Sequence, residues 1–211
     1  AWAQAGVGAV STQNVTNPAL GPLMLAHMAS GADAGHAVAA AAAGDGFADY
    51  RQLLAVDSQG GTAVHSGSKA LGIWTSARGV DCVSGGNMLA SDGVPAAMVA
   101  AFEGAKGPLG DRLIAAMQAG IALGGEAGPV HSAGLLIVDR QSWPYAELRI
   151  DWIDITSYAH EMPACMYAGA EQNADGSLTG WARFSHEEIG RQSILAIKQD
   201  VKLLNAKIIE Y

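Results

Sequence analysis

The stretch Trp2-Ala3-Gln4-Ala5-Gly6-Val7-Gly8-Ala9-Val10-Ser11-Thr12-Gln13, followed by Asn17-Pro18, decides how the chain begins to fold. Within it, Gly6 to Ser11 is short, apolar and small, which predicts a buried strand with close neighbours. Asn17 is a good N-cap and Pro18 suits the first helical position, so a helix is expected to follow. Leu20, Leu23, Met24 and Met28 recur at helical spacing until Gly31 ends the run. Asp33 then caps a second helix through the Ala-rich segment to Gly44.

A strand-rich region lies beyond. Arg51 to Asp57 and Thr62 to Ser66 flank Ser58-Gln59-Gly60-Gly61, which is a hairpin signal. Ala70 to Ser76 and Val80 to Ser84 predict two further strands about a turn at Arg78-Gly79. Val94 to Ala105 and Pro108 to Leu123 carry apolar residues at helical spacing. Ser132 to Arg140 and Tyr145 to Asp151 return as strands. Helix pairs alternate with strand meanders, which predicts an α+β fold: a layered αββα sandwich of antiparallel sheet covered by helices. Residues 1–152 form the expected domain. Residues 153–211 are expected to be an irregular extension ending in a helix, with Ser185 and Glu188 as its capping box.

Half of the 211 residues are hydrophobic and 15% are charged, a globular composition. The net charge of −8, without a Lys/Arg cluster, speaks against nucleic acid and anionic membranes as partners. No apolar run has the length of a membrane span. Two cysteines, Cys82 and Cys165, are too few for a disulfide framework, which points to a reducing, cytoplasmic setting. The six histidines show no metal-ligand spacing, and no cofactor motif is present, so neither a metal nor a cofactor is expected.

The opening block, together with Ala63-Val64-His65-Ser66-Gly67, Gly86-Asn87-Met88-Leu89, Gly107-Pro108-Leu109, His131-Ser132-Ala133 and Leu148-Arg149-Ile150-Asp151, resembles the family called domain of unknown function 1028. These blocks follow the family order over about residues 1–152. The resemblance implies an N-terminal-nucleophile-hydrolase-like fold. In such hydrolases a Thr, Ser or Cys at the mature N-terminus attacks an amide, with its own α-amino group as base. Members of the family usually carry about two dozen residues before the tryptophan that form the first strand or two, so the resemblance implies that the first strand is missing from residues 1–152. Ala1 has no nucleophilic side chain, so the nucleophile is expected on a preceding segment, or that chemistry is not used.

Several residues are candidates for a site. His65, on a strand, could be a general acid/base, or a structural histidine bonded to backbone. Ser84-Gly85-Gly86-Asn87 reads as a Gly-rich turn whose amides and Asn87 side chain could form an oxyanion hole, or simply a tight bend. Thr12, Gln13 and Asn17 offer hydroxyl and amide groups to a polar substrate, or satisfy strand-end and cap hydrogen bonds. Gly86 and His131 complete the expected substrate-binding set. The leading expectation is a hydrolase of a small amide or ureide, with His65 and Asn87 as catalytic residues. The alternative is a non-catalytic small-molecule-binding or homo-oligomeric assembly protein that keeps the fold without the nucleophile.

Overall fold

In the computed structural model the opening block folds back on itself. β1 (Trp2–Gln4) pairs antiparallel with β2 (Gly8–Gln13). The turn between them passes through Gly6 at φ 69°, where Val7 N donates to the Gln4 carbonyl. The single strand expected over Gly6 to Ser11 is therefore the second arm of a hairpin and runs on to Gln13. Gly6 accounts for the difference, since its positive φ makes it a turn residue rather than a strand residue. The structure describes residues 1–128, 130 and 132–150, together with four two-residue strands, Met166–Tyr167, Glu171–Gln172, Leu178–Thr179 and Arg183–Phe184. The capping box at Ser185 and the helix expected behind it lie outside the described residues.

α1 (Leu20–Ala29) begins three residues after Asn17, which caps the turn that leads into it: Asn17 Oδ1 accepts from Ala19 N at 3.2 Å. α2 (Ala34–Ala43) has the expected N-cap, Asp33 Oδ1 accepting from His36 N at 2.7 Å. Small alanines on α2 let it lie close to the sheet. Ala34, Ala37 and Ala41 share a core with Met24, Leu53 and Val10. Met24 and Leu53 are wholly buried, and each such side chain contributes about 1.5–3 kcal/mol of burial free energy.

β3 (Gln52–Asp57) and β4 (Thr62–Ser66) form the hairpin expected from the sequence, giving an antiparallel sheet in the order β1-β2-β3-β4. Alternation along β3 separates its two faces. Leu53 and Ala55 pack under α1 and α2. Gln52 and Leu54 point the other way, toward a second pair of strands. That pair is β5 (Ile73–Gly79) and β6 (Cys82–Leu89), joined at Val80-Asp81 with Asp81 at φ 57°. The turn falls two residues after the expected Arg78-Gly79, because Asp tolerates the left-handed conformation that a two-residue hairpin requires.

The segment Ser84–Asn87 is strand, not turn. Its glycines serve close approach: a Cβ on Gly85 would stand 2.8 Å from Leu54 Cδ2, so the sheets meet at this point. α3 (Val94–Gly104) covers β5 and β6, and α4 (Leu109–Ala122) packs on α3. β7 (Ala133–Val138) and β8 (Pro144–Ile150) make a third antiparallel unit. Their core of Leu135, Ile137 and Ala146 closes on Ile114 of α4. The fold is thus α+β, helices packed on antiparallel sheets. Among the described residues no helix is long and apolar enough to cross a membrane.

Candidate functional site

The end of β2, the start of β3, the end of β4, the start of β5 and the end of β6 all reach one edge of the molecule, and polar side chains gather there. Gln52 stands at the centre and is wholly buried. Its Oε1 accepts from Gln13 Nε2 at 2.7 Å and from Asn87 Nδ2 at 3.3 Å. Its Nε2 faces three acceptors: Ser66 Oγ at 3.1 Å, the Gly86 carbonyl at 3.2 Å and the Thr75 carbonyl at 3.3 Å. Gln13 Nε2 also donates to the Gly85 carbonyl at 3.0 Å. A buried amide satisfied on both ends fixes the orientation of its neighbours, because each alternative leaves a buried group unpaired.

The rim of this cluster is strained and apolar. Asn14, Val15 and Met88 have φ of 60°, 48° and 51°. For Val, a β-branched residue, that conformation is a genuine outlier. Asn14 ties the rim together: its Nδ2 donates to the Tyr50 carbonyl at 2.6 Å, and its Oδ1 accepts from Leu71 N at 3.1 Å. Met88 N in turn donates to the Leu71 carbonyl. Val15, Leu71 and Met88 each leave half or more of their surface exposed. Strain of this kind persists where surrounding structure imposes it, and it concentrates at binding and catalytic sites.

At Val15 the partner is Arg51. Its guanidinium donates to the Val15 carbonyl and, through Nε, to Asp45 Oδ2 at 2.6 Å, with both side chains more than nine-tenths buried. The Arg51 hydrogen bond, followed by one from Phe47 N, holds the Asp45 carboxyl below the ordinary range. Asn17 spends its side-chain oxygen on Ala19 N and its carbonyl on the Thr12 hydroxyl, so it supports the turn into α1 rather than lining the cluster.

Of the residues singled out from the sequence, Gln13, Gly86 and Asn87 are brought together. Thr12 is buried on the helix-facing side of β2, its hydroxyl 3.5 Å from the Asn17 carbonyl. His65 pairs with Leu53 across the β3–β4 ladder, so it shares the helix-facing side, with Nε2 2.9 Å from the Ala48 carbonyl. His65 and Asn87 thus belong to opposite faces of the four-stranded sheet and do not meet. His131 lies outside the described residues. Sequence reading missed Gln52, Arg51 and Ser66. The signal for Gln52 was present: it opens the run Gln-Leu-Leu-Ala-Val-Asp and falls on the same alternating face as Leu54 and Val56.

The cluster can orient amides and accept or donate hydrogen bonds. Among the described residues Asn87 gives one of its two amide protons to Gln52 and the other to no partner. Among the described residues no group of three or more His, Cys, Asp or Glu is gathered so as to hold a metal ion.

The structure is similar to the crystal structure of protein SPO2555 from Silicibacter pomeroyi, of family DUF1028, at 30% sequence identity and a TM-score of 0.65. The similarity covers 71% of this chain and 64% of that one, so it spans less than two thirds of the relative's length. No curated protein matches the chain. The model of the family of unknown function DUF1028 matches residues 1–158, and the chain belongs to that family.

Proposed function

We propose that this protein is a hydrolase of a small amide or ureide, built on a four-layer αββα, N-terminal-nucleophile-hydrolase-like fold and working in the cytoplasm. The observation that carries the proposal is the Gln13–Gln52–Asn87 cluster beneath a strained rim. Hydrolysis of an amide develops negative charge on its carbonyl oxygen, and a preoriented donor stabilises that charge. The second amide proton of Asn87 is such a donor, with Gln52 fixing its direction. Gln13, whose Oε1 takes no hydrogen bond among the described residues, is suited to accept from a substrate N–H. The attacking group of such a hydrolase is a Thr, Ser or Cys, and Ala1 is none of these. His65 acts at a distance, as a positioning residue that holds the Ala48 carbonyl beside the entry to β3.

The test is release of amine or ammonia from a panel of small amides and ureides by the complete encoded polypeptide. Asn87→Ala is expected to lower turnover about 10²-fold, the cost of one oxyanion donor, with the unfolding midpoint little changed. Saturable binding without hydrolysis would instead support a ligand-binding protein that keeps the fold. One observation favours that second reading: both Nε2 protons of Gln13 and both of Gln52 are committed within the protein.

A further inference from the structure

β4 is the outer strand of the four-stranded sheet, bonded to β3 on one side and to no other named strand. Gly67 N donates to the Arg51 carbonyl, and Asp57 N to the Gly61 carbonyl. These two bonds fix the parity of the ladder, because opposed residues of an antiparallel pair alternate between bonded and non-bonded. Steps of two from Arg51 and Gly67 make Leu53–His65 and Ala55–Ala63 the bonded pairs. Thr62, Val64 and Ser66 therefore turn their N–H and C=O groups away from β3. Among the described residues those outward groups find no backbone partner. The strand Thr62–Ser66 contains no Lys, Arg, Asp, Glu or Pro. Sheet edges meant for solvent are blunted by such residues, and edges that pair are not.

The helix beside this edge is bare in the same way. α2 packs on β3 and β4 alike, with α1 against it. Its exposed positions are Gly35, His36, Ala39, Ala40 and Ala43, and none of its ten residues is Lys, Arg, Asp or Glu. A helix on the surface ordinarily turns a charged or polar face to water, and one that is apolar all round is buried.

We propose that β4 pairs antiparallel with β4 of a second copy of this chain about a two-fold axis at Val64, joining two four-stranded sheets into one of eight strands. The parity of β4 selects that register. With Val64 opposite its own counterpart, Thr62 stands opposite Ser66 of the partner subunit, and every outward N–H and C=O of β4 is matched. A shift by two residues leaves one outward-facing residue of each copy unmatched. An uncharged strand meets its own copy without repulsion, and a two-fold contact needs a surface that complements itself. The helix layer fits the same axis. Neighbouring strands lie about 4.8 Å apart, so two helices that each sit over their own β3–β4 pair come to lie about 10 Å apart. That is within the range of about 8–10 Å at which helices pack, and alanines suit the close end of it. The bare flank of α2 is thereby covered by the contact that pairs β4. This inference concerns assembly and stands whether or not the protein hydrolyses amides.

The experiment is sedimentation velocity of the chain over a range of protein concentrations, beside two variants at the centre of the strand. A dimer is expected. Val64→Pro removes only an outward N–H, which an edge strand tolerates, and leaves the ladder to β3 intact. The two-fold axis doubles the loss, so the dissociation constant should rise about tenfold or more, with the circular dichroism spectrum unchanged. Val64→Cys keeps the backbone whole and serves even if the proline variant fails to fold. Opposed Cα atoms of a bonded pair lie about 5.5 Å apart, within disulfide reach, so mild oxidation should give a covalent dimer that the parent chain does not give. A parent chain that stays monomeric at every concentration would overturn the proposal. So would a dimer that a folded Val64→Pro leaves as tight as before, or a Val64→Cys chain that does not cross-link.

Discussion

Gln13 Nε2 donates to Gln52 Oε1 across 2.7 Å, joining the last residue of β2 to the first residue of β3 at the edge where the candidate site lies. Because Gln52 is wholly buried, this bond and its companions to Asn87, Gly86 and Ser66 form in a setting that excludes water. Gln52→Ala leaves those groups unpaired and is expected to cost about 3 kcal/mol in urea-induced unfolding. Gln52→Glu keeps the acceptor for Gln13 and Asn87 but turns a carboxylate on the Thr75 and Gly86 carbonyls. Its destabilisation should be larger at pH 8 than at pH 5, where protonation restores a donor. Equal stability of Gln52→Glu at both pH values would contradict the hydrogen-bond assignment.

Arg51 and Asp45 form a buried pair, and Arg51 also holds the Val15 carbonyl. Removing one partner strands the other charge. Arg51→Ala is therefore expected to cost about 3–5 kcal/mol. Arg51→Lys keeps the charge but loses the fork that reaches two acceptors at once, so it should fall between Ala and the native residue. A Lys variant as stable as native would show that charge alone matters there.

Asp57 ties a strand end to a helix start. Its carboxylate accepts from Ala34 N at 3.0 Å, and also from Gln59 N and Gly61 N, and the Ala34 bond is the leading cause of a pKa held below the ordinary 3.8. A carboxyl whose folded pKa is depressed contributes stability that is fully present above its unfolded value. That stability is lost as pH falls through the folded value. Acid unfolding curves of Asp57→Asn should accordingly show a shallower loss of stability below about pH 4 than the native chain. Parallel curves would exclude this carboxylate as a source of acid sensitivity.

Much of the frame was legible in the sequence because local chemistry fixed it. Asp33 before an Ala run, the Ser58-Gln59-Gly60-Gly61 hairpin and the helical spacing through α3 and α4 each carry their own signal. The failures share a cause: a residue whose role depends on the opposite layer. Gly85 was read as a turn residue because glycine serves turns and close contacts alike, and only Leu54, 31 positions away, distinguishes the two. His65 and Asn87 share one expected site in the sequence, yet His65 pairs with Leu53 on the helix-facing side while Asn87 reaches Gln52 on the other. Gln52 escaped notice because a polar residue at a strand start is ordinary until a second sheet buries it.

Trp2 and Gly21 offer a test of packing across the first hairpin and α1. A Cβ on Gly21 would collide with the Trp2 ring, so the absence of a side chain there lets the indole lie on the helix. Gly21→Ala should displace the ring, cost about 1–3 kcal/mol and shift the tryptophan emission to the red. In the background of Trp2→Ala the same change should cost little, or even stabilise through helix propensity. Additive effects in that double-mutant cycle would break the proposed contact.

Val15 separates the demands of stability from those of the site. Its φ of 48° is unfavourable for a β-branched side chain, by about 1–3 kcal/mol, and the Arg51 hydrogen bond to its carbonyl holds it there. Glycine adopts that conformation freely but loses more entropy on folding, by about 0.5–1 kcal/mol. The balance favours Val15→Gly by about 1 kcal/mol, read as a higher midpoint in urea. If the strain serves the rim, the same variant should weaken ligand binding or turnover, since an exposed apolar side chain at the mouth is lost and the loop gains freedom. A gain in stability with function unchanged would leave the strain as a by-product of the Arg51 clamp. A loss of both would mean that the Val15 side chain packs in a way its exposure of 56% does not suggest.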